Sequence, residues 1–216
     1  MPGTWYIFPA VELLALLVGT YYLKSIKHKF LYLYIFVLLG VLTDVWNILS
    51  IKLGTQNNLW VSHIYFPLEF ILLALFYRPY LAPVIKRKWI TLIIVVFMLY
   101  AIINAVFIQS IKEYSNLRMF TSIVLVVFSL MYFYRLMNEL RTTKLSAEPM
   151  VWINTSVLIS YSAIFFYNIL FNLLLEYSRE ATLFIASING YVVALFYLVI
   201  AIAFWKAAKQ WEALHS

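Results

Sequence analysis

Three carboxylates, Glu12, Asp44 and Glu69, lie inside stretches of sequence that are otherwise strongly apolar. An unpaired charge at the centre of a membrane helix costs at least ~2.5–3.5 kcal/mol. Such acids are protonated, paired, or in contact with water, and each case calls for a polar pocket. Lysine and arginine sit at or beyond the ends of the apolar stretches, so the sequence offers the acids no basic partner within the spans. The chemistry open to them is countercharge for a cation, proton exchange between unlike carboxyls, or oxygen ligation of a hard metal together with the one nitrogen of His63. Pro9 stands three residues before Glu12 and Pro67 two before Glu69. Proline removes a backbone donor and strains the preceding turn, so a kink beside each acid is expected, widening a cavity.

Other polar residues fall in register with the acids. Asp44 and Asn47 are three apart, on one helix face. Asn154, Tyr161 and Asn168 recur every seven residues and form a stripe. Most of these groups, with Asn189, belong to one half of the spans. The expected ligand-binding set is Glu12, Asp44, Asn47, His63, Glu69, Tyr161, Asn168 and Asn189. Asn104, Asn154, Thr121, Ser122 and Ser187 read as interhelical hydrogen-bond formers, worth ~0.6 kcal/mol apiece in membranes. Ala186, Gly190 and Ala194, like Ala15 and Gly19, have the spacing of close helix contacts.

The elements that must position these residues follow from composition. The chain of 216 residues is 65% hydrophobic and 12% charged, with mean hydropathy +0.90. Soluble domains carry about 45–50% apolar and about 25% charged residues. The expectation is an all-α integral membrane protein forming one seven-helix transmembrane domain over residues 1–216. About 20 apolar residues span the bilayer core, and seven stretches qualify: about 4–23, 30–51, 58–77, 89–109, 116–138, 150–174 and 182–205. The first reads as a span, because no basic region precedes it. Lys24, Lys27, Lys29, Arg78, Lys86, Arg87, Lys88, Arg135, Arg141, Lys144, Lys206 and Lys209 fall on one side, against Lys52, Lys112, Arg118 and Arg179 on the other. Basic residues favour the cytoplasmic side, which puts the N-terminus outside and the C-terminus inside. Trp5, Trp46 and Trp60 mark the outer interface and Trp89, Trp152 and Trp205 the inner one. The longest connection, from Glu139 to Glu148, is too short to fold alone, so any signal is expected to leave through a separate cytoplasmic protein.

Several chemistries are disfavoured. The chain has no cysteine, hence no thiolate nucleophile, zinc–thiolate site or disulfide. A retinal Schiff base needs a lysine within the membrane, and the seventh span has none before Lys206. Zinc hydrolases gather several histidines, and here only His63 lies within a span, His28 and His215 falling in the inner loop and tail. No nucleophile or oxyanion motif marks an enzyme, and no cofactor is implied. The net charge of +7 follows the loops, a topology signal rather than a nucleic-acid surface. A faint repeat is also visible. Trp46-Asn47-Ile48-Leu49 matches Tyr167-Asn168-Ile169-Leu170; Asn47 precedes Glu69 by 22 residues and Asn168 precedes Asn189 by 21. That suggests three helices, a connector and three helices again, as in transporters built from parallel halves.

Phe8-Pro9-Ala10-Val11-Glu12-Leu13-Leu14, Pro67-Leu68-Glu69-Phe70 and Pro149-Met150-Val151-Trp152-Ile153 resemble small seven-helix proteins of unknown function from Bacteroidota-type bacteria. The resemblance implies a multi-pass protein of the bacterial inner membrane, working beside a sensor kinase, and brings no site residues with it. The leading expectation is a membrane receptor or sensor. A small cationic or proton-linked ligand enters from outside, meets the acids in the outer half, and is reported to a cytoplasmic partner. Two alternatives stay open: a proton- or cation-coupled transporter of small solutes, and a metal-assisted intramembrane lipid hydrolase.

Overall fold

A computed structural model describes residues 4–55, 57–112, 115–139 and 145–215, with side chains for 7–55, 57–112, 115–139, 145, 147–170 and 178–214. With no water to satisfy backbone polar groups, apolar sequence of this length pairs them internally as helix. Seven helices result among the described residues: α1 (Thr4–Tyr21), α2 (Leu23–Lys52), α3 (Trp60–Leu81), α4 (Arg87–Ile103), α5 (Leu117–Glu139), α6 (Pro149–Tyr177) and α7 (Arg179–His215). No strand occurs among the described residues. Six helices, α2–α7, are long and apolar enough to cross a bilayer, α4 together with the π-helical turn that extends it to Ile108. α1, with 18 residues, is about 27 Å long, slightly short of the hydrocarbon thickness.

Six helices form a ring. α1 packs on α2, α2 on α3, α3 on α5, α5 on α6, α6 on α7, and α7 returns to α1, with α2 also touching α7. α4 stands outside this ring against α3, where Phe97 meets Phe70 with ring centroids 4.1 Å apart. One end of the bundle is filled by contiguous aromatic contacts, Phe30 to Phe76, Phe76 to Tyr77 and Tyr80, Tyr77 to Phe128, and Tyr80 to Tyr132.

Several expectations require correction. α2 begins at Leu23 rather than 30, so Lys24, Lys27 and Lys29 are helical. Nothing in 24–29 is Gly or Pro, lysine is a good helix former, and buried Ile26 anchors the turn. The interruption falls at Phe30 (φ −121°, ψ 15°), while α1 and α3 continue through Pro9 and Pro67. The segment after Trp205 is not a loose tail but the last turns of α7, where Ala207 and Ala208 are buried and Gln210 Nε2 donates to the Ala147 carbonyl at 2.8 Å. Arg141, Lys144 and the side chain of Trp5 lie outside the described residues. Trp46 and Trp60 pack edge to face at one end, 6.3 Å apart. At the other end, Lys88 lies 5.8 Å from the Trp89 ring and Lys206 4.7 Å from that of Trp152.

Among the small residues, Gly19 is a close contact and Gly190 is not. A Cβ at Gly19 would stand 2.9 Å from both Phe204 and Tyr34, whereas one at Gly190 would meet nothing within 4 Å. Gly19→Ala is therefore expected to cost about 1–3 kcal/mol by overpacking, read as a lower melting temperature in detergent, and Gly190→Ala to leave it unchanged.

Candidate ligand cavity

The ring encloses a cavity of about 1100 Å³ in the half of the bundle that holds the N-terminal end of α1. It reaches from Asn58, Ser115 and Asn116 in the connections down to Glu69 and Tyr197, about 15 Å along α3 from Leu59. Seven of the eight expected ligand residues line it: Glu12, Asp44, Asn47, Glu69, Tyr161, Asn168 and Asn189. His63 does not. On α3 the lining positions are Val61, Ser62, Tyr65, Phe66 and Glu69, one helical face, and His63 projects about 100° away from Ser62.

Glu12 is 1% exposed and lies within side-chain hydrogen-bonding reach of both Asp44 and the Tyr197 hydroxyl. Gly40 makes that position possible. A Cβ there would overlap the Glu12 carboxylate and stand 2.9 Å from the Tyr197 oxygen. A side chain on α2 would therefore occupy the space that the acid of α1 uses. Glu69, 3% exposed, accepts a hydrogen bond from the Tyr161 hydroxyl on its Oε1. The second oxygen, Oε2, meets no donor among the described residues.

Arg118, in the first turn of α5, overturns the expectation that the acids have no basic neighbour. It lines the same cavity, its guanidinium lies 5.1 Å from the Phe66 ring, and its charge acts on Glu69. Sequence reading placed it at the outer boundary, yet the chain entering α5 already lies inside the bundle, where Ser115 N donates to Ser62 Oγ at 3.0 Å and Arg118 follows at the level of Phe66.

Charge is not the only imbalance. Glu12 Oε2, Asp44 Oδ2, Glu69 Oε2, Asn104 Oδ1 and Asn189 Oδ1 are buried and meet no hydrogen-bond partner among the described residues. All five belong to residues of the cavity wall, and with the carboxyls ionised all five are acceptors. Asn104 owes its place to a π-helical turn, Asn104–Ile108, that closes α4, with Gln109 N donating to the Asn104 carbonyl at 2.8 Å. Such turns often mark functional positions, and nothing in the sequence announced this one. Asn47 acts structurally. Its Oδ1 accepts from Asn58 Nδ2 at 3.0 Å and so pins the connection at the mouth. Asn168 donates to the Ile164 carbonyl at 2.7 Å.

Known proteins offer no guide. No protein family, curated protein or solved structure matches this chain.

Asn154, aligned with Tyr161 and Asn168 in the sequence stripe, lies about 10 Å farther from the mouth, two helical turns. There it meets Tyr77 and Ser129. The Tyr77 hydroxyl donates to Asn154 Oδ1 at 2.8 Å, Ser129 Oγ donates to the same oxygen at 2.9 Å, and Asn154 Nδ2 donates to the Ser129 carbonyl at 3.2 Å. This is the structural role expected of it. Among the described residues no three of the metal-binding types come together, so the combination of acids with His63 as a metal site is not formed.

Proposed function

We propose that this chain is a multi-pass membrane protein that takes a small organic cation, rich in hydrogen-bond donors, into the cavity. The observation that carries the reading is the row of five unpartnered acceptor oxygens, three of them carboxylate. Unmet buried acceptors cost about 1–3 kcal/mol each, and an ammonium supplies up to three donors together with the missing positive charge. Facing carboxyls such as Glu12 and Asp44 are satisfied by a shared proton or by a cation seated between them. Phe8, Phe36, Tyr65 and Phe196 line the same space and suit the flank of an organic cation.

The basic residues lie mainly at the end opposite the cavity, which favours a cavity open to the outside of a bacterial inner membrane. In the receptor reading, occupancy is passed to a cytoplasmic protein at the basic end, and the aromatic filling below the cavity supports a site that holds its ligand. A transport reading is favoured by the repeat.

Phenethylammonium, compared with its uncharged isostere propylbenzene, tests the binding step common to both. The amine is expected to raise the melting temperature of the detergent-solubilised protein in a saturable way and propylbenzene is not. Equal stabilisation by the two would remove charge recognition from the reading.

A further inference from the structure

The cavity has a counterpart in the connectivity of the chain. Ala74-Leu75-Phe76-Tyr77 on α3 is repeated as Ala194-Leu195-Phe196-Tyr197 on α7. The match joins the pair already noted, Asn47-Ile48-Leu49 and Asn168-Ile169-Leu170. Asn47 precedes Ala74 by 27 residues and Asn168 precedes Ala194 by 26. Two motifs at nearly equal spacing relate α2–α3 to α6–α7, and by position α1 to α5.

The packing obeys the same relation. In the ring, α3 meets α5 as α7 meets α1, so the order of the helices around the ring repeats after three, with α4 outside and the two tetrapeptides at different depths. The two equivalent tyrosines both cross between the halves. Tyr77 leaves the first half to bond Ser129 of α5 and Asn154 of α6. Tyr197 leaves the second half to reach Glu12 of α1 and lies against Gly40 of α2. The correspondence is incomplete. α2 touches α7 far more than α6 touches α3, and α5 has no acid to match Glu12. Tyr197 is in the cavity wall, and Tyr77 is 0% exposed in the filled end.

From these observations we infer that the chain is two copies of a three-helix unit that pivot on each other, and that the Tyr77–Ser129–Asn154 cluster is the gate closing the end opposite the cavity. Opening it carries the cavity's occupant across the membrane. The inference rests on the cation-binding reading for what is carried. Its mechanical content stands apart from the ligand: when the gate opens, the present mouth closes.

The lack of cysteine makes the test clean. Met119→Cys reports on the cavity wall, and Ser129→Cys, at a position 0% exposed, reports on the gate. Each is treated in membrane vesicles of both orientations with a membrane-impermeant methanethiosulfonate, with and without Tyr77→Phe. That substitution removes one hydroxyl and keeps the ring against Phe128. Losing about one net hydrogen bond shifts a two-state equilibrium about five-fold. The expected result is a roughly five-fold faster labelling of the Ser129→Cys thiol from the basic end and a slower labelling of the Met119→Cys thiol from the cavity end. A Ser129→Cys thiol unreactive from the basic end in both backgrounds, or faster labelling at both sites together, overturns the inference. The second pattern would report loosening rather than exchange. Tyr80→Phe in place of Tyr77→Phe removes a hydroxyl from the same filled end but outside the cluster and is expected to leave labelling of the Ser129→Cys thiol slow; acceleration as large as that from Tyr77→Phe would likewise report loosening and overturn the gate. None of these measurements uses a ligand. A bundle that binds phenethylammonium without alternating keeps the cation site, and one that alternates without binding it loses only the cation site.

Discussion

Glu12→Gln is expected to weaken binding of phenethylammonium by about 10- to 100-fold, the equivalent of losing one charge-assisted contact of about 1.5–3 kcal/mol. The substitution keeps the shape of the side chain and its reach toward Tyr197, so the loss isolates the charge. Glu69→Gln is expected to act in the same direction but less. The glutamine carbonyl still accepts from Tyr161, and the Arg118 charge already offsets part of the Glu69 field. That ordering, Glu12 before Glu69, is specific to this arrangement. Titration calorimetry on the two variants and the double variant measures it, and because both groups face one cavity their effects need not add. An affinity untouched by Glu12→Gln would take Glu12 out of recognition, and one untouched by the double variant would take out both glutamates.

Gly40→Leu is expected to be the most damaging substitution in the cavity half. Even a Cβ has no room there, since the Glu12 carboxylate and the Tyr197 hydroxyl occupy its place. A full side chain must drive α1 from α2 or swing Glu12 out of the cavity. Overpacking costs about 1–3 kcal/mol and occasionally more, so the melting temperature should fall markedly and cation binding should be lost. Gly40→Ala separates the two effects. It is expected to perturb binding more than stability, because the flexible Glu12 side chain yields before the helices do. A Gly40→Leu variant with native melting and native affinity would mean that Glu12 does not lie against α2.

Much of the fold was legible because oil imposes a simple code. Runs of Leu, Ile, Val and Phe fix the number of helices, and the acids stand out against that background. The seven lining residues converge because helical spacing places Asp44 with Asn47 and Tyr161 with Asn168 on single faces. His63 failed the same test. One residue of offset turns a side chain by about 100°, too fine a distinction when the facing neighbours are unknown. Arg118 was missed because its position at a helix end says nothing of where a flexible guanidinium points. Tyr197 was missed because one tyrosine among 17 carries no mark of its own, and only the repeated tetrapeptide around it gave a signal. The helix ends were misjudged at residues 24–29 and 206–215 because charge was taken as the limit of a span. Charge limits burial in lipid, whereas helix propensity runs on through lysine and alanine.

The solitary position of α4 has a consequence of parity. A unit with an odd number of crossings, joined directly to its own copy, would deliver the second copy upside down. One additional crossing reverses the chain once more and restores the common direction of α1 and α5. On this account most of α4 is constrained chiefly to be apolar and long enough, while Tyr100 and Asn104 at its cavity end face the interior. Its outward residues Val95, Val96, Leu99, Ile102 and Ile103, all exposed, should then tolerate exchange among aliphatic side chains where α3 and α7 do not.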